Sequence, residues 1–134
     1  MSNKEKIENA IAENEMLHGA EIRKKFGDIA VDESNLHLRN LTPEQYEEGE
    51  RLRTALEDAL KSAMETKDPA GEAAQMACDL HRQWLSVFYE GYTKEYHQSL
   101  AEMYVSDDRF RANYDKISPG CTDFLRDAVR IYCS

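Results

Sequence analysis

Ten of the twelve aromatic side chains lie in the last 51 residues, from Trp84 onward, and only Phe26 and Tyr46 precede them. Aromatic rings carry the largest burial energies of any side chains. A chain of 134 residues with this distribution can build its durable core only toward the C-terminus. The earlier part is mostly Ala, Leu, Glu and Lys, and is expected to be less stable. The length suits a single domain over residues 1–134, with weaker helices over 1–67 and an aromatic-rich helical core over 68–134.

Charge then narrows the functional classes. Charged residues make up 32% of the chain, and the formal net charge is −9. Binding to a phosphate backbone needs clustered Lys and Arg, so no direct nucleic-acid contact is expected. No apolar run approaches the roughly 18 residues of a membrane span. Residues 1–11 are charged throughout and do not form a secretory signal, so a cytoplasmic location is expected. Cys78, Cys121 and Cys133 are odd in number and widely spaced, which reads as reduced thiols, with Cys133 exposed near the C-terminus.

The apolar spacing is helical almost throughout, and no segment alternates with period two for long enough to make a strand. The expected class is all-α, with about six helices. Ile7, Ile11, Leu17, Ile22 and Phe26 mark a first helix, with Gly27 as its stop. Residues 27–40 show little periodicity and read as a loop. Thr42-Pro43-Glu44-Gln45 has the spacing of a capping box with proline in the first turn. The helix it starts presents Leu52, Leu56, Ala59, Leu60 and Ala63 on one face. Ala73, Ala77, Leu80, Trp84 and Phe88 mark the next, over residues 70–89, and Gly91 a break. A further helix runs to about Tyr104. Ser106-Asp107-Asp108 caps another, and Ser118-Pro119 starts the last.

Local motifs for catalysis are lacking. Glu15-x-x-His18 has the spacing used in di-iron bundles, but that architecture needs the motif twice, and a solvated helix face is the plainer reading. Cys78 and His81 could chelate a soft metal, but a closed zinc site needs two more ligands; a core thiol beside a packed histidine fits better. No glycine-rich phosphate loop and no nucleophile beside a base is visible. No cofactor, no metal and no enzymatic activity are expected.

One stretch stands apart. Trp84, Phe88, Tyr92 and Tyr96 recur at four-residue steps, allowing for a bend at Gly91. A tyrosine offers an apolar ring and a polar tip, which suits a wet, apolar-lined cleft as well as a core. Composition leaves core packing and a ligand groove equally open. It also leaves open an aromatic face that contacts a partner subunit. A groove would leave a monomer, and a partner face would give a dimer.

His81-Arg82-Gln83, the run Glu102-Met103-Tyr104-Val105-Ser106-Asp107-Asp108-Arg109-Phe110, then Tyr114-Asp115, Pro119-Gly120 and Phe124-Leu125-Arg126-Asp127-Ala128 closely resemble the TipA-type (TipAS) antibiotic-recognition domain. This is the C-terminal ligand domain of some MerR-family transcriptional activators, also found alone. The resemblance covers residues 79–132 most strongly. Upstream, Glu21-Ile22-Arg23-Lys24-Lys25-Phe26-Gly27 and the Thr42-Pro43 helix start look like the family's N-terminal part. It implies a globin-like helical fold that binds bulky, apolar, peptide-derived antibiotics such as thiopeptides. It also implies an N-terminal part that orders over the ligand, in keeping with the scarcity of aromatics before Trp84. The groove residues expected on this basis are Trp84, Phe88, Tyr92, Tyr96, Ser99 and Met103, with Tyr104 and Tyr114 as walls.

The resemblance has two departures. Ser99 falls where thiostrepton-binding members carry a cysteine that attacks a dehydroalanine of the antibiotic, and Tyr92 falls on a second family cysteine. A neutral serine hydroxyl without an adjacent base is a poor nucleophile, so reversible binding is expected. No basic helix-turn-helix precedes Asn3. A stand-alone protein would act by sequestering drug, to which Met1 points; a domain of a longer chain would be a regulator's sensor.

Overall fold

The computed structural model describes residues 2, 4–12, 24, 27–89 and 91–134. The expected helix positions Leu17, Ile22 and Phe26 lie outside the described residues, as does the Glu15–His18 pair. The chain is all-α, and no strand occurs among the described residues. A first helix, α1, covers residues 4–12. It is followed by α2 (Asp28–Arg39), α3 (Pro43–Thr66), α4 (Glu72–Phe88), α5 (Lys94–Ser106), α6 (Asp108–Asp115) and α7 (Cys121–Tyr132). None of the described helices is long and apolar enough to cross a membrane.

The chain divides into two compact units, Met1–Gly49 with Val87–Glu90, and Glu50–Ser86 with Gly91–Ser134. Both α3 and α4 contribute residues to each.

In the first unit, Ile7 and Ile11 are buried on one face of α1. The α2 helix corrects the expectation of a loop over residues 27–40. Its periodicity is weak, but its ends are well served: Asp28 sits in the first turn and Arg39 in the last, where the helix dipole favours each charge. Its C-terminus is also held from outside, because His37 Nε2 donates to the Val87 carbonyl at 2.9 Å. Gly27, with φ 87°, is the residue entering α2. The α3 start is the expected capping box. The Thr42 N–H donates to Gln45 Oε1 (2.9 Å) and the Gln45 N–H to Thr42 Oγ1 (3.1 Å). Gly49 faces Phe88: a Cβ there would stand 2.7 Å from the tip of the ring, so Phe88 keeps its place because position 49 has no side chain.

In the second unit α3 buries Leu52, Leu56, Leu60 and Ala63, the face expected from spacing, and α4 buries Ala74, Ala77, Cys78, His81 and Leu85. The helices α5, α6 and α7 pack on one another. They bury Leu100, Ala101, Tyr104, Tyr114, Leu125, Ala128 and Val129. Gln75 Nε2 donates to the carbonyls of Pro69 (2.9 Å) and Ala128 (3.2 Å), tying the start of α4 to α7.

Ser118-Pro119 does not itself start α7. Residues 118–121 form a turn closed by Cys121 N–H to Ser118 O (3.0 Å), with Gly120 at φ 84°, ψ 3°. Proline second and glycine third is the arrangement a type II turn asks for. The helix then begins at Cys121 and is capped from outside, by Asp115 Oδ1 accepting from the Thr122 N–H (2.9 Å) and hydroxyl (2.7 Å). Cys133, expected to be exposed, is half-buried. It is the C-cap of α7 and its N–H bonds to the Val129 carbonyl at 2.9 Å, so it is held against the fold.

Candidate functional site

The four-residue aromatic steps do not form one continuous helical stripe. The α4 helix ends at Phe88, Gly91 takes a positive φ of 73°, and Thr93 opens α5 by accepting from the Tyr96 N–H at 3.0 Å. Phe88 belongs to the first unit, over Gly49. The other seven residues, Trp84, Tyr92, Tyr96, Ser99, Met103, Tyr104 and Tyr114, lie in the second unit. There Trp84, Tyr92, Tyr96, Ser99 and Met103 are half-buried, while Tyr104 and Tyr114 are buried.

What gathers Trp84, Tyr92, Tyr104 and Tyr114 is a polar thread through the aromatic core. Arg53, on α3, lies over the Trp84 ring (5.1 Å to the centroid) and the Tyr114 ring (4.8 Å), and its Nη1 donates to Tyr114 Oη at 3.1 Å. Tyr114 Oη is 3.4 Å from Nε2 of His81, which is fully buried. His81 Nδ1 is 2.7 Å from Nε2 of His97, also fully buried. His97 Nδ1 is 2.6 Å from Tyr92 Oη. The half-buried Cys133 side chain is a neighbour of Tyr92. Around the thread the rings pack closely: His81 stacks on Trp84 (5.9 Å, 16°) and meets Tyr104 edge-on (5.9 Å), while Tyr104 and Tyr114 are 4.8 Å apart.

The electrostatics follow from burial. Loss of water around His81, then its neighbours His97 and Arg53, hold it well below the usual histidine range. Burial, then the charge of Arg82, lowers His97 to about 4. Both rings are therefore neutral near pH 7, each with one N–H donor and one acceptor nitrogen. Burial also pushes Tyr92 well above the ordinary phenol, and the thiols of Cys78 and Cys121 up to about 12 and about 11. Beside the thread, Asp79 Oδ1 accepts from Tyr132 Oη (2.8 Å) and Arg82 Nε (3.1 Å), which joins α4 to the end of α7.

The sequence reading missed Arg53, His97 and Cys133 as members of this cluster, and placed His81 only as a packed neighbour of Cys78. The signal for pairing two histidines 16 positions apart lies in the approach of α4 to α5, which spacing within either helix does not encode. Among the described residues no group of three His, Cys, Asp or Glu is placed to hold a metal ion.

The family described as the TipAS antibiotic-recognition domain matches residues 18–132. The chain is similar to the HTH-type transcriptional activator TipA of Streptomyces coelicolor, 32% identical over 111 residues that cover 81% of this chain and 44% of that protein. TipA of Streptomyces lividans gives the same figures. The HTH-type transcriptional activator mta of Bacillus subtilis is 23% identical over 126 residues, covering 92% of this chain and 48% of that one. The chain thus spans less than half the length of these relatives. No solved structure matches it.

Proposed function

The chain belongs to the TipAS antibiotic-recognition family, and on that premise we propose that it binds bulky, apolar, peptide-derived antibiotics of the thiopeptide kind without chemically altering them. The observation that carries this reading is the half-buried rim of Trp84 and Tyr92 set on the buried Arg53–Tyr114–His81–His97 thread. Apolar rings supply contact area at low entropy cost, and a few oriented polar tips supply selectivity. Tyr96, Ser99 and Met103 extend the rim along α5.

Binding is reversible on this account, because Ser99 offers no thiol. The biological role is either sequestration of drug or, by analogy with the activators TipA and mta, the sensing half of a MerR-type regulator in the cytoplasm. Titration calorimetry against a panel of thiopeptides tests the reading. A dissociation constant below about 100 μM, roughly −5.5 kcal/mol, is expected for at least one member. Weaker binding across the panel rejects it.

A further inference from the structure

The thread at the centre of the second unit has an order to its protons, and the order has a consequence for what can bind. A guanidinium only donates, so at the Arg53 end Tyr114 Oη is an acceptor. The Arg53 charge also favours a lone pair, not an N–H, on the side of His81 that faces it. The Tyr114 O–H then points to His81 Nε2. A neutral His81 with a bare Nε2 carries its proton on Nδ1 and donates it to His97 Nε2. A neutral His97 so engaged carries its own proton on Nδ1 and donates it to Tyr92 Oη. The Tyr92 oxygen is thereby an acceptor toward the core, and its single O–H must point away from His97. The half-buried Cys133 side chain is a neighbour of Tyr92, and a thiol is only a weak acceptor.

We propose that His81 and His97 are positioning residues that commit the Tyr92 hydroxyl as a donor, so that the subsite at Tyr92 takes a hydrogen-bond acceptor of the ligand, an amide carbonyl or heteroaromatic nitrogen. The selectivity part rests on the antibiotic-binding reading above; the proton order does not. A ligand that offers only a donor at this point would face the O–H proton with no acceptor of its own, whereas a ligand acceptor would satisfy that proton. The loop that carries Tyr92, between Gly91 at φ 73° and the Thr93 cap, is tied to the core by the same bond.

Long-range proton–nitrogen correlation spectra of the free, full-length chain test the order directly. Both His81 and His97 are expected as single Nδ1–H tautomers at pH 7. Tyr92→Phe, which keeps the ring, should shift the His97 nitrogens strongly and His81 less. Nε2–H tautomers at either ring, or averaged tautomers, overturn the proposal. With thiostrepton as the probe, Tyr92→Phe should weaken binding about tenfold while the helical circular dichroism stays that of the parent. An unchanged affinity for Tyr92→Phe overturns the subsite. A parent that shows the expected tautomers and binds no thiopeptide overturns the antibiotic reading and leaves the proton order standing.

Discussion

His97 is buried, neutral and bonded on both ring nitrogens, and this gives stability a defined pH dependence. In the unfolded chain a histidine titrates near 6.5; in the fold His97 is held at about 4 and His81 well below its usual value. Below about 6.5 the unfolded state therefore binds protons that the native state refuses, so stability is full above that pH and falls as pH drops toward 4. His97 alone accounts for up to about 3 kcal/mol of this loss. Asp79 and Asp115, both lowered in the fold, act in a separate window, losing their contribution only as pH falls below about 4. Urea unfolding of the parent and of His97→Gln between pH 7 and 4.5 should show a slope in the first and a flatter line in the second; equal slopes would contradict it. Ser99 supports a second expectation. Intact-mass measurement after incubation with a dehydroalanine-containing thiopeptide should find no adduct on the parent, since the remaining thiols are raised by burial and carry little thiolate at pH 7. Ser99→Cys should gain one adduct mass. Of the residues gathered on the thread, Trp84 and Tyr92 stand out in the sequence by size and spacing, and Tyr104 and Tyr114 through the family resemblance. Arg53 and His97 do not, because a charged residue on an acidic helix and a lone histidine each read as ordinary until a neighbouring helix is placed against them.

Among the elements, those with chemical start signals were readable and those held by tertiary contacts were not. The Thr42–Gln45 box defines the α3 start, and Asp107 caps α6 by accepting from the Arg109 N–H at 2.9 Å, within one residue of the expected cap. Thr42→Ala should cost roughly 1 kcal/mol in unfolding free energy, and Thr42→Ser much less. Equal losses for the two would mean that the cap is not what holds this turn. By contrast α2 lacks a clear apolar stripe in sequence, and its anchor, the Val87 carbonyl, is 50 residues away. The aromatic run from Trp84 to Tyr96 reads as one stripe only if α4 continues. Gly91 and the Thr93 cap end that continuity, and Tyr92 reaches His97 because it leaves the helix.

At the scale of the molecule, the aromatic asymmetry is the feature that bears on stability. The second unit holds Leu52, Leu56, Leu60, Leu85, Leu100, Tyr104, Tyr114 and Leu125 in its interior, whereas the buried apolar side chains described in the first are Ile7 and Ile11. The scarcity of aromatic residues before Trp84 leaves less burial energy there to offset the entropy of ordering. Amide exchange in the free protein is predicted to be faster over residues 1–49 than over 50–86 and 91–134, with the step near residue 49 set by the buried leucines of α3. A bound antibiotic should slow it. Uniform protection without ligand would remove the case for ligand-coupled ordering. An antibiotic is expected to bind at the aromatic rim around Trp84, and the chain offers a direct probe of this, because Trp84 is its one tryptophan. The indole N–H signal, followed by proton–nitrogen correlation during titration with thiostrepton, should move and saturate with the dissociation constant found by calorimetry. Saturating binding that leaves this signal in place would contradict the account.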